Sequence, residues 1–474
     1  MSAIVREVSG DTASVFLAEA VAVPAGLLIV ALLSRNLGPA GYGRYGIAVA
    51  VVGIAEWLVA SAFARISVIL LSDPAMRDQM EPSVLRHYLV TALAVAVLLF
   101  VGADLLATLL QAKYLSSDLR WLCVDVPLFA LTNAQRSIVT ARGEYSGRAL
   151  AIVVRWISRL TLTAAFVFWG LGVLGALLAW PASSLAELFC FRRISWSFLW
   201  KADTSPVSIW RECRGPFVFA TGQRLMERAD LLVLQAYGTS ASFIGYYVAG
   251  QNLSILPGLF AASLAPVLTA AMTRERVLGR EEASRNAGAL SMKASLYMLP
   301  LAPVFGSCGQ EIAALAFGPQ FLQAGPLTGW LVAGFVGVAL ASAAASIVSA
   351  ERRFHLMPWL SVPGAITAFA LQAAIVPVGG MTRAAMVSAF VGLGSGLVAT
   401  VIVYRNWGQA FPVIMIGRVA GATLAVLGAS QFWVIPALAW PYRAALLLMI
   451  GVVSLLVAGE WRLLASKRQS GAVS

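Results

Sequence analysis

Long apolar blocks recur along almost the whole chain, and they constrain its fold more than any other feature. Of the 474 residues, 59% are hydrophobic and 12% are charged, whereas soluble proteins carry about 25% charged residues. A helix needs about 20 apolar residues to cross a bilayer, and backbone polar groups in lipid must be satisfied within each crossing segment. The sequence therefore predicts an all-α integral membrane protein.

The spacing of the apolar blocks predicts about fourteen transmembrane helices. Lys and Arg residues concentrate in alternate connections between these helices. If the N-terminus is inside, inner segments hold 21 of these residues and outer segments hold 6. The positive-inside rule then predicts that both termini are cytoplasmic. The net charge of +12 is explained by this orientation, and we predict no nucleic-acid partner. The predicted helices are centred near residues 23, 58, 96, 130, 160, 181, 226, 260, 302, 338, 367, 394, 423 and 453.

A Gly-rich turn between two apolar segments occurs twice in the sequence. Gly38 in the first turn aligns with Gly238 in the second, and Gly43 aligns with Gly245 after a two-residue insertion. An even number of predicted spans separates the two turns, so both lie on the same face of the membrane. This arrangement predicts parallel repeats related by an axis along the membrane normal.

The repeat predicts two six-helix lobes. We expect the N-terminal lobe over residues 1–200 and the C-terminal lobe over residues 201–408. Residues 409–474 are predicted to form an extra C-terminal helix pair and a cytoplasmic tail.

Enzyme chemistry has little support in the sequence. The four cysteines show no paired spacing, and His87 and His355 form no ligand cluster, so we predict no metal site and no cofactor. The outer connections near residues 169–173 and 317–325 are short. No outer loop is long enough to fold as a catalytic domain, which argues against a membrane glycan polymerase or ligase.

Charged residues within the predicted spans mark candidate functional positions. A charge at the centre of a membrane helix costs about 2.5–3.5 kcal/mol on insertion scales, so it should face a cavity or a partner. Arg224, Glu227 and Arg228 share one face of the seventh predicted helix, whereas Asp230 points elsewhere. On the fifth helix, Arg155 lies close enough to the cytoplasmic surface to be expected to snorkel towards it.

Four segments of the sequence form an ordered set of motifs. They are a first hairpin at 34–45 (Gly38-Pro39 followed by Gly41-Tyr42-Gly43-Arg44-Tyr45), an Asp before an apolar run at 228–234, a helix start at 245–249 (Gly245-Tyr246-Tyr247) and a Gly-Pro link with an aromatic at 316–321. In this order they resemble the polysaccharide flippases of the multidrug/oligosaccharidyl-lipid/polysaccharide exporter superfamily. The similarity runs from about residue 12 to residue 405.

This resemblance implies a two-lobe transporter with a central cavity. The implied activity is transfer of an isoprenoid-diphosphate-linked oligosaccharide from the cytoplasmic to the outer leaflet, for surface polysaccharide, exopolysaccharide or O-antigen biosynthesis. The implied location is the bacterial plasma (inner) membrane, and the implied partners are the lipid-linked oligosaccharide, membrane lipids and other glycan-assembly proteins.

Specific residues can be assigned to these implied roles as hypotheses. Arginine forks bind diphosphate oxygens bidentately, and Arg159, Arg224 and Arg228 are the candidates for that role. Alternatively, these arginines pair with carboxylates and hold the lobe together. Gln251 and Asn252 are candidate sugar contacts, although they are also consistent with packing. The carboxylates that are candidates for coupling transport to H⁺ or Na⁺ are Glu19, Glu56 and Asp230.

Other functions remain open at this point. One is a cation-coupled multidrug exporter of the same superfamily. Acidic residues offset the charge of the deep arginines, so these arginines do not determine whether the substrate is an anion or a cation. A second is a membrane glycan polymerase or ligase. A third is a non-transporting scaffold in a glycan-synthesis complex.

Overall fold

The computed structural model of this chain consists, in the part that it describes, of helices joined by short turns. It describes residues 2–71, 74–191, 209–255, 272, 281–351, 353–408, 413–431 and 438–457. Within these ranges no residue is in a β-strand. The all-α prediction is thus confirmed. Thirteen of the fourteen predicted span centres fall in described helices, and the centre near residue 260 lies outside the described residues.

Two compact units make up the chain, Met1–Gly245 and Tyr246–Ser474. The lobe boundaries predicted after residues 200 and 408 stay predictions. The first unit contains the helices α1 (Ser2–Leu71), α2 (Pro74–Leu109), α3 (Tyr114–Leu122), α4 (Asp125–Ala141), α5 (Tyr145–Phe166), α6 (Gly172–Cys190) and α7 (Ile209–Ala236), with a π-helical turn at Val167–Leu171 between α5 and α6.

The second unit contains α8, whose described part is the helical stretch 241–255 that begins at the end of the first unit. Its other elements are α9 (Glu281–Leu296), α10 (Leu301–Phe317), a 3₁₀ turn at Pro319–Ala324, α11 (Gly325–Ala350), a 3₁₀ turn at Phe354–Leu360, α12 (Val362–Trp407), α13 (Val413–Gln431) and α14 (Trp440–Leu455).

Among the described residues, five helical stretches are long and apolar enough to cross a membrane. A single crossing uses about 20 residues, so the longest of them have the length of two crossings. The stretches are Val21–Ser61, Met80–Leu109, Ser146–Cys190, Pro319–Ser349 and Phe354–Trp407. The chain is therefore a multi-pass membrane protein.

Glycines with positive φ divide the double-length stretches. Gly38 divides α1 with φ 66° and ψ 178°, and Gly380 divides α12 with φ 60° and ψ −154°. Gly170 and Gly172, with φ 86° and 55°, lie at the turn between α5 and α6. An L-residue with a β-carbon rarely adopts these conformations. Each glycine thus ends one apolar helix and lets the chain start the next.

The two Gly-rich turns predicted from the repeat are close to each other in the first unit. Gly238 has φ 72°, in the same left-handed region as Gly38. A β-carbon added to Gly43 would lie 1.8 Å from the carbonyl oxygen of Ala241, and one added to Gly245 would lie 2.0 Å from that of Pro39. Because both positions lack a side chain, the two backbones can touch.

Hydrogen bonds and an ion pair between polar side chains stabilise the end of this unit where the two Gly-rich turns meet. Gln111 donates to the carbonyl of Ala236 at 2.8 Å, and Gln235 donates to that of Leu110 at 3.1 Å. Arg44 makes a two-point ion pair with Asp118 at 2.6 Å. These bonds tie the turn of α1 to α3 and the end of α2 to the end of α7.

In the second unit, the last two helices pack on α10. Val304, Val426 and Leu447 form a buried cluster that joins α10, α13 and α14. Arg443 on α14 donates hydrogen bonds to Glu311 and to Cys308 on α10. The C-terminal pair is therefore fixed to the second unit by apolar contact and by an ion pair.

Candidate functional site

The second half of α1 supplies two neighbouring side chains to the candidate site. Glu56 is 4% exposed and Trp57 is 46% exposed. Consecutive residues on a helix point about 100° apart, so the two side chains face different neighbours. Glu56 faces the start of α4 and the middle of α5, whereas Trp57 faces α7. This half-helix thus separates a buried polar cluster from a partly exposed one.

The buried cluster contains two carboxyl groups beside each other. Glu56 lies against Asp125, the first residue of α4. Asp125 is fully buried. Oε1 of Glu56 and both carboxyl oxygens of Asp125 lack a hydrogen-bond partner among the residues that the structure describes. Buried acceptors without partners are rare in folded proteins, which marks this pair as a functional candidate.

Arg159 on α5 lies against aromatic rings in the same cluster. Its guanidinium is 3.8 Å from the ring centre of Trp180 and 5.7 Å from that of Trp156. Its Nε donates to Ser183 at 3.2 Å, while the buried Nη2 has no partner in the described part of the chain. Trp180 in turn donates to the hydroxyl of Tyr45 at 3.0 Å. Arg159 is thus held by cation–π contacts and retains one unused donor.

Arg155 does not snorkel, contrary to the sequence-based expectation. It is buried, donates to Glu187 at 3.3 Å and lies 4.6 Å from the ring centre of Phe129. Arg136 binds the other oxygen of Glu187 at 2.6 Å. A fully buried carboxylate on α6 offers Arg155 an ion pair, which replaces the water that the side chain would otherwise have to reach.

The partly exposed cluster lies on α7 beside Trp57. Arg224 pairs with Glu227 at 3.2 Å, as their spacing of three residues allows, and both side chains are 25% exposed. Gln223 also donates to Glu227 at 3.2 Å. The Arg224 guanidinium lies 5.7 Å from the ring centre of Trp57. A β-carbon on Gly53 would be 3.5 Å from its Nη2, an ordinary van der Waals distance, so Arg224 lies directly against this part of α1.

The remaining predicted residues are distributed along the chain. Arg228 is partly buried and lies within electrostatic reach of Glu227 and Asp230. Asp230 is buried, and its Oδ1 accepts a hydrogen bond from the backbone N–H of Leu231 at 2.7 Å. The other predicted residues lie elsewhere: Gln251 (buried) and Asn252 (partly buried) are on α8 in the second unit, and Glu19 is in the first half of α1, where its side chain lies outside the described residues.

Two kinds of chemistry are available in these clusters. A guanidinium and an indole that are both partly exposed can bind an anionic group and a sugar face, respectively. Buried carboxyls can exchange a proton or hold a cation. Among the residues that the structure describes, no group of three or more His, Cys, Asp or Glu side chains could hold a metal ion.

Comparison with solved structures defines the fold class. The lipid II flippase MurJ in an inward closed conformation matches with a TM-score of 0.75 and 14% identity, covering 95% of this chain and 99% of MurJ. An inward-facing multidrug resistance MATE transporter of the MOP superfamily matches with a TM-score of 0.65 and 15% identity, covering 84% of this chain and 95% of that one. A mutant form of the Vibrio cholerae MATE transporter VcmN matches with a TM-score of 0.57 and 14% identity. The match covers 85% of this chain and 99% of that one.

The chain thus has the fold that the MurJ flippase and these MATE transporters share. No curated protein matches the sequence. A family model described as polysaccharide biosynthesis protein matches residues 9–272, more than half of the chain. The chain therefore belongs to this polysaccharide biosynthesis protein family, as the residues at 34–45 and 228–234 predicted.

Proposed function

We propose that this protein is a flippase that moves an isoprenoid-diphosphate-linked oligosaccharide from the cytoplasmic to the outer leaflet. Alternating access of two lobes carries out the transfer, and the product feeds surface polysaccharide, exopolysaccharide or O-antigen synthesis at the bacterial inner membrane. Both termini are cytoplasmic in this proposal, and other glycan-assembly proteins supply and receive the lipid-linked sugar. Family membership and the MurJ-like fold support it.

The cation–π contact between Arg224 and Trp57 is the observation on individual residues that supports this proposal. Both side chains are partly exposed, Trp57 on an apolar stretch of α1 and Arg224 on α7 beside it. An exposed charge within a predicted membrane span is costly without a role. The guanidinium offers donors to a diphosphate, and the indole offers a flat face to a sugar ring or an isoprenoid chain. Arg228 adds a second cation on the same helix, and Gln251 and Asn252 are proposed as sugar contacts.

Arg159 is also proposed as a diphosphate contact, and one unpartnered donor atom supports this assignment. Its Nη2 is buried without a partner among the described residues, and a phosphate oxygen is an acceptor that would satisfy it. The rest of its guanidinium is held between Trp180 and Ser183. Glu19, Glu56 and Asp230 are proposed as the residues that couple transport to H⁺ or Na⁺.

Leaflet transfer in reconstituted vesicles tests this function. Vesicles containing the protein and a fluorescent polyprenyl-diphosphate-linked oligosaccharide are assayed for probe that becomes accessible on the opposite leaflet. Arg224→Ala is expected to lower transfer at least tenfold, because a lost charge-assisted contact is worth about 1.5–3 kcal/mol. Arg224→Lys should transfer the probe at a rate between those of the wild type and Arg224→Ala, because Lys keeps the charge but lacks the planar fork that binds two oxygens at once.

Glu227→Gln separates a substrate contact from a structural ion pair. If Arg224 binds the diphosphate, this substitution frees the guanidinium, so transfer is retained while Arg224→Ala lowers it at least tenfold. Equal losses in both variants would instead assign the pair to folding alone. Wild-type protein that transfers no probe, despite being folded in the vesicles, would overturn the flippase proposal.

A multidrug exporter is the second candidate, and one observation favours it. The MATE transporters share the fold, and the buried carboxyls of Glu56 and Asp125 are suited to a cationic substrate. Deletion of the gene distinguishes the two functions. A change in drug sensitivity with normal surface glycan would favour the exporter, whereas lost glycan with unchanged drug sensitivity would favour the flippase.

A further inference from the structure

Asp104 is an exposed carboxylate on an apolar surface of α2. It belongs to the stretch Met80–Leu109, which is long and apolar enough to cross a membrane. Val97, Val101 and Leu105, on the same side of the helix, are each more than half exposed. Apolar side chains that are exposed on a membrane-spanning helix face lipid, so Asp104 faces lipid too. It lies about 7–8 Å from the end of the stretch, at the rise of a regular helix.

Arg120 on α3 lies against both Asp104 and an aromatic ring of α2. Its Nη2 is 2.7 Å from Oδ2 of Asp104, and its guanidinium carbon is 5.5 Å from the centre of the Phe100 ring. Ser116 donates a hydrogen bond to Oδ1 of Asp104. The side chain of Arg120 is nevertheless 42% exposed and that of Asp104 is 69% exposed. Both charged groups are thus open to their surroundings although they are paired.

Two other ion pairs of the first unit have buried carboxylates, those of Asp118 and Glu187. Protein atoms enclose these carboxylates, which leaves no space for a ligand. Asp104, by contrast, can accept a further hydrogen bond, because a carboxylate has more acceptor positions than its two partners occupy. Within the described residues, Arg120 uses one of its N–H donors. The exposed pair therefore offers both a donor and an acceptor to a lipid.

The two charges of this pair have a defined order along the helix. Phe100 precedes Asp104 by about one helical turn, so it lies deeper in the apolar stretch. Because the guanidinium of Arg120 lies against Phe100, the positive charge is on the hydrocarbon side of the carboxylate. A zwitterionic aminophospholipid carries its phosphate next to the acyl chains and its ammonium farther out. Its phosphate can therefore meet Arg120 while its ammonium meets Asp104.

We propose that Asp104 and Arg120 bind the headgroup of a phospholipid with a primary amine, of the phosphatidylethanolamine class. The guanidinium donates to the phosphate, and the carboxylate accepts from the ammonium. A trimethylated amine has no N–H to donate to Asp104, and an anionic headgroup brings no cation to it. The charge pattern of the sequence places this site in the outer leaflet. The site shares no residue with the proposed substrate contacts and does not depend on them.

Native mass spectrometry of the purified full-length protein in detergent tests this lipid site. The protein is titrated with phosphatidylethanolamine, phosphatidylcholine or phosphatidylglycerol of identical acyl chains. The wild type is expected to bind phosphatidylethanolamine about tenfold more tightly than the other two lipids, because only this lipid makes both charge-assisted contacts. Asp104→Asn and Arg120→Gln should each remove the preference. Glu81→Gln, at the ion pair with Arg142, is the control and should keep it.

Charge reversal distinguishes lipid recognition from a structural ion pair. Asp104→Arg combined with Arg120→Asp keeps opposite charges in contact but exchanges their order, so this protein should stay folded and lose the preference. Thermal unfolding checks the fold of every variant. Equal binding of the three lipids by the wild type would overturn the proposal, and so would a preference that survives in the single variants or in the reversed pair. Tighter binding of phosphatidylglycerol would instead assign the surface to anionic lipid.

Discussion

At the residue scale, the ion pairs of the first unit differ in their contribution to stability because burying a charge is costly. Glu187 is fully buried and is bound by two arginines, whereas Glu81 pairs with Arg142 near the surface. A buried charge that loses its partner costs about 3–5 kcal/mol, and an exposed pair contributes about 0–1 kcal/mol. The same type of ion pair thus has different consequences at the two positions.

Glu187→Gln should accordingly lower the free energy of unfolding by about 3–5 kcal/mol, because it leaves Arg136 and Arg155 without their shared counter-charge. Glu81→Gln, the matched surface control, should lower it by about 1 kcal/mol or less. Denaturant or thermal unfolding in detergent measures both. Equal losses in the two variants would contradict the buried network.

At the element scale, glycines decide how closely helices and turns approach. Gly43 and Gly245 allow backbone contact between the turn of α1 and the segment that leads into α8. Gly102 on α2, by contrast, has open space where a β-carbon would be. The sequence repeat therefore has a structural reason, because the aligned glycines of the two turns meet.

Gly43→Val is expected to destabilise the protein by about 1–3 kcal/mol or more, because its β-carbon would collide with a backbone oxygen that cannot rotate away. Gly102→Val is the control and should change stability by less than about 1 kcal/mol, since β-branched residues lower helix propensity only slightly. The midpoint of thermal unfolding and the yield of folded protein are the measurements. A Gly43→Val protein as stable as the control would refute the close contact.

At the scale of the whole molecule, the positive-inside pattern and the two turns predict a single topology. Ala40 and Ser240 are exposed in the two turns, at the end of the first unit where Gly43 meets Ala241. Glu144 is exposed in the turn between α4 and α5, which the charge pattern places on the cytoplasmic side.

Single cysteines at these three positions test the topology in a background whose native cysteines are replaced by alanine. A membrane-impermeant maleimide applied to intact spheroplasts is expected to label Ala40→Cys and Ser240→Cys. Glu144→Cys should react only after the membrane is permeabilised. Labelling of Ala40→Cys and Ser240→Cys from opposite sides would disprove the parallel repeat.

Much of the fold could be predicted from the sequence because the relevant signals are local. Apolar length sets where a helix crosses the membrane, and glycine at positions such as Gly38 sets where it turns. The pairing of Arg224 with Glu227 follows from a spacing of three residues on one helix. The family resemblance at residues 34–45 and 228–234 also needs no structure.

The partners of the deep charges could not be predicted in this way. Asp125 and Glu187 lie in predicted apolar spans, and their charge alone could have singled them out as candidates. Nothing in the sequence indicates that Asp125 meets Glu56 or that Glu187 binds Arg155, because each contact joins side chains on two different helices. The rotation and packing of those helices decide such contacts.

The sequence by itself thus determined a multi-pass helical protein, its turns and its family, since apolar length and backbone freedom are properties of short segments. Only the tertiary structure decided which charges are neutralised, which remain exposed beside Trp57, and which two buried carboxyls lack hydrogen-bond partners among the described residues. These distinctions depend on neighbours from other helices, since the cost of a buried charge is set by its surroundings.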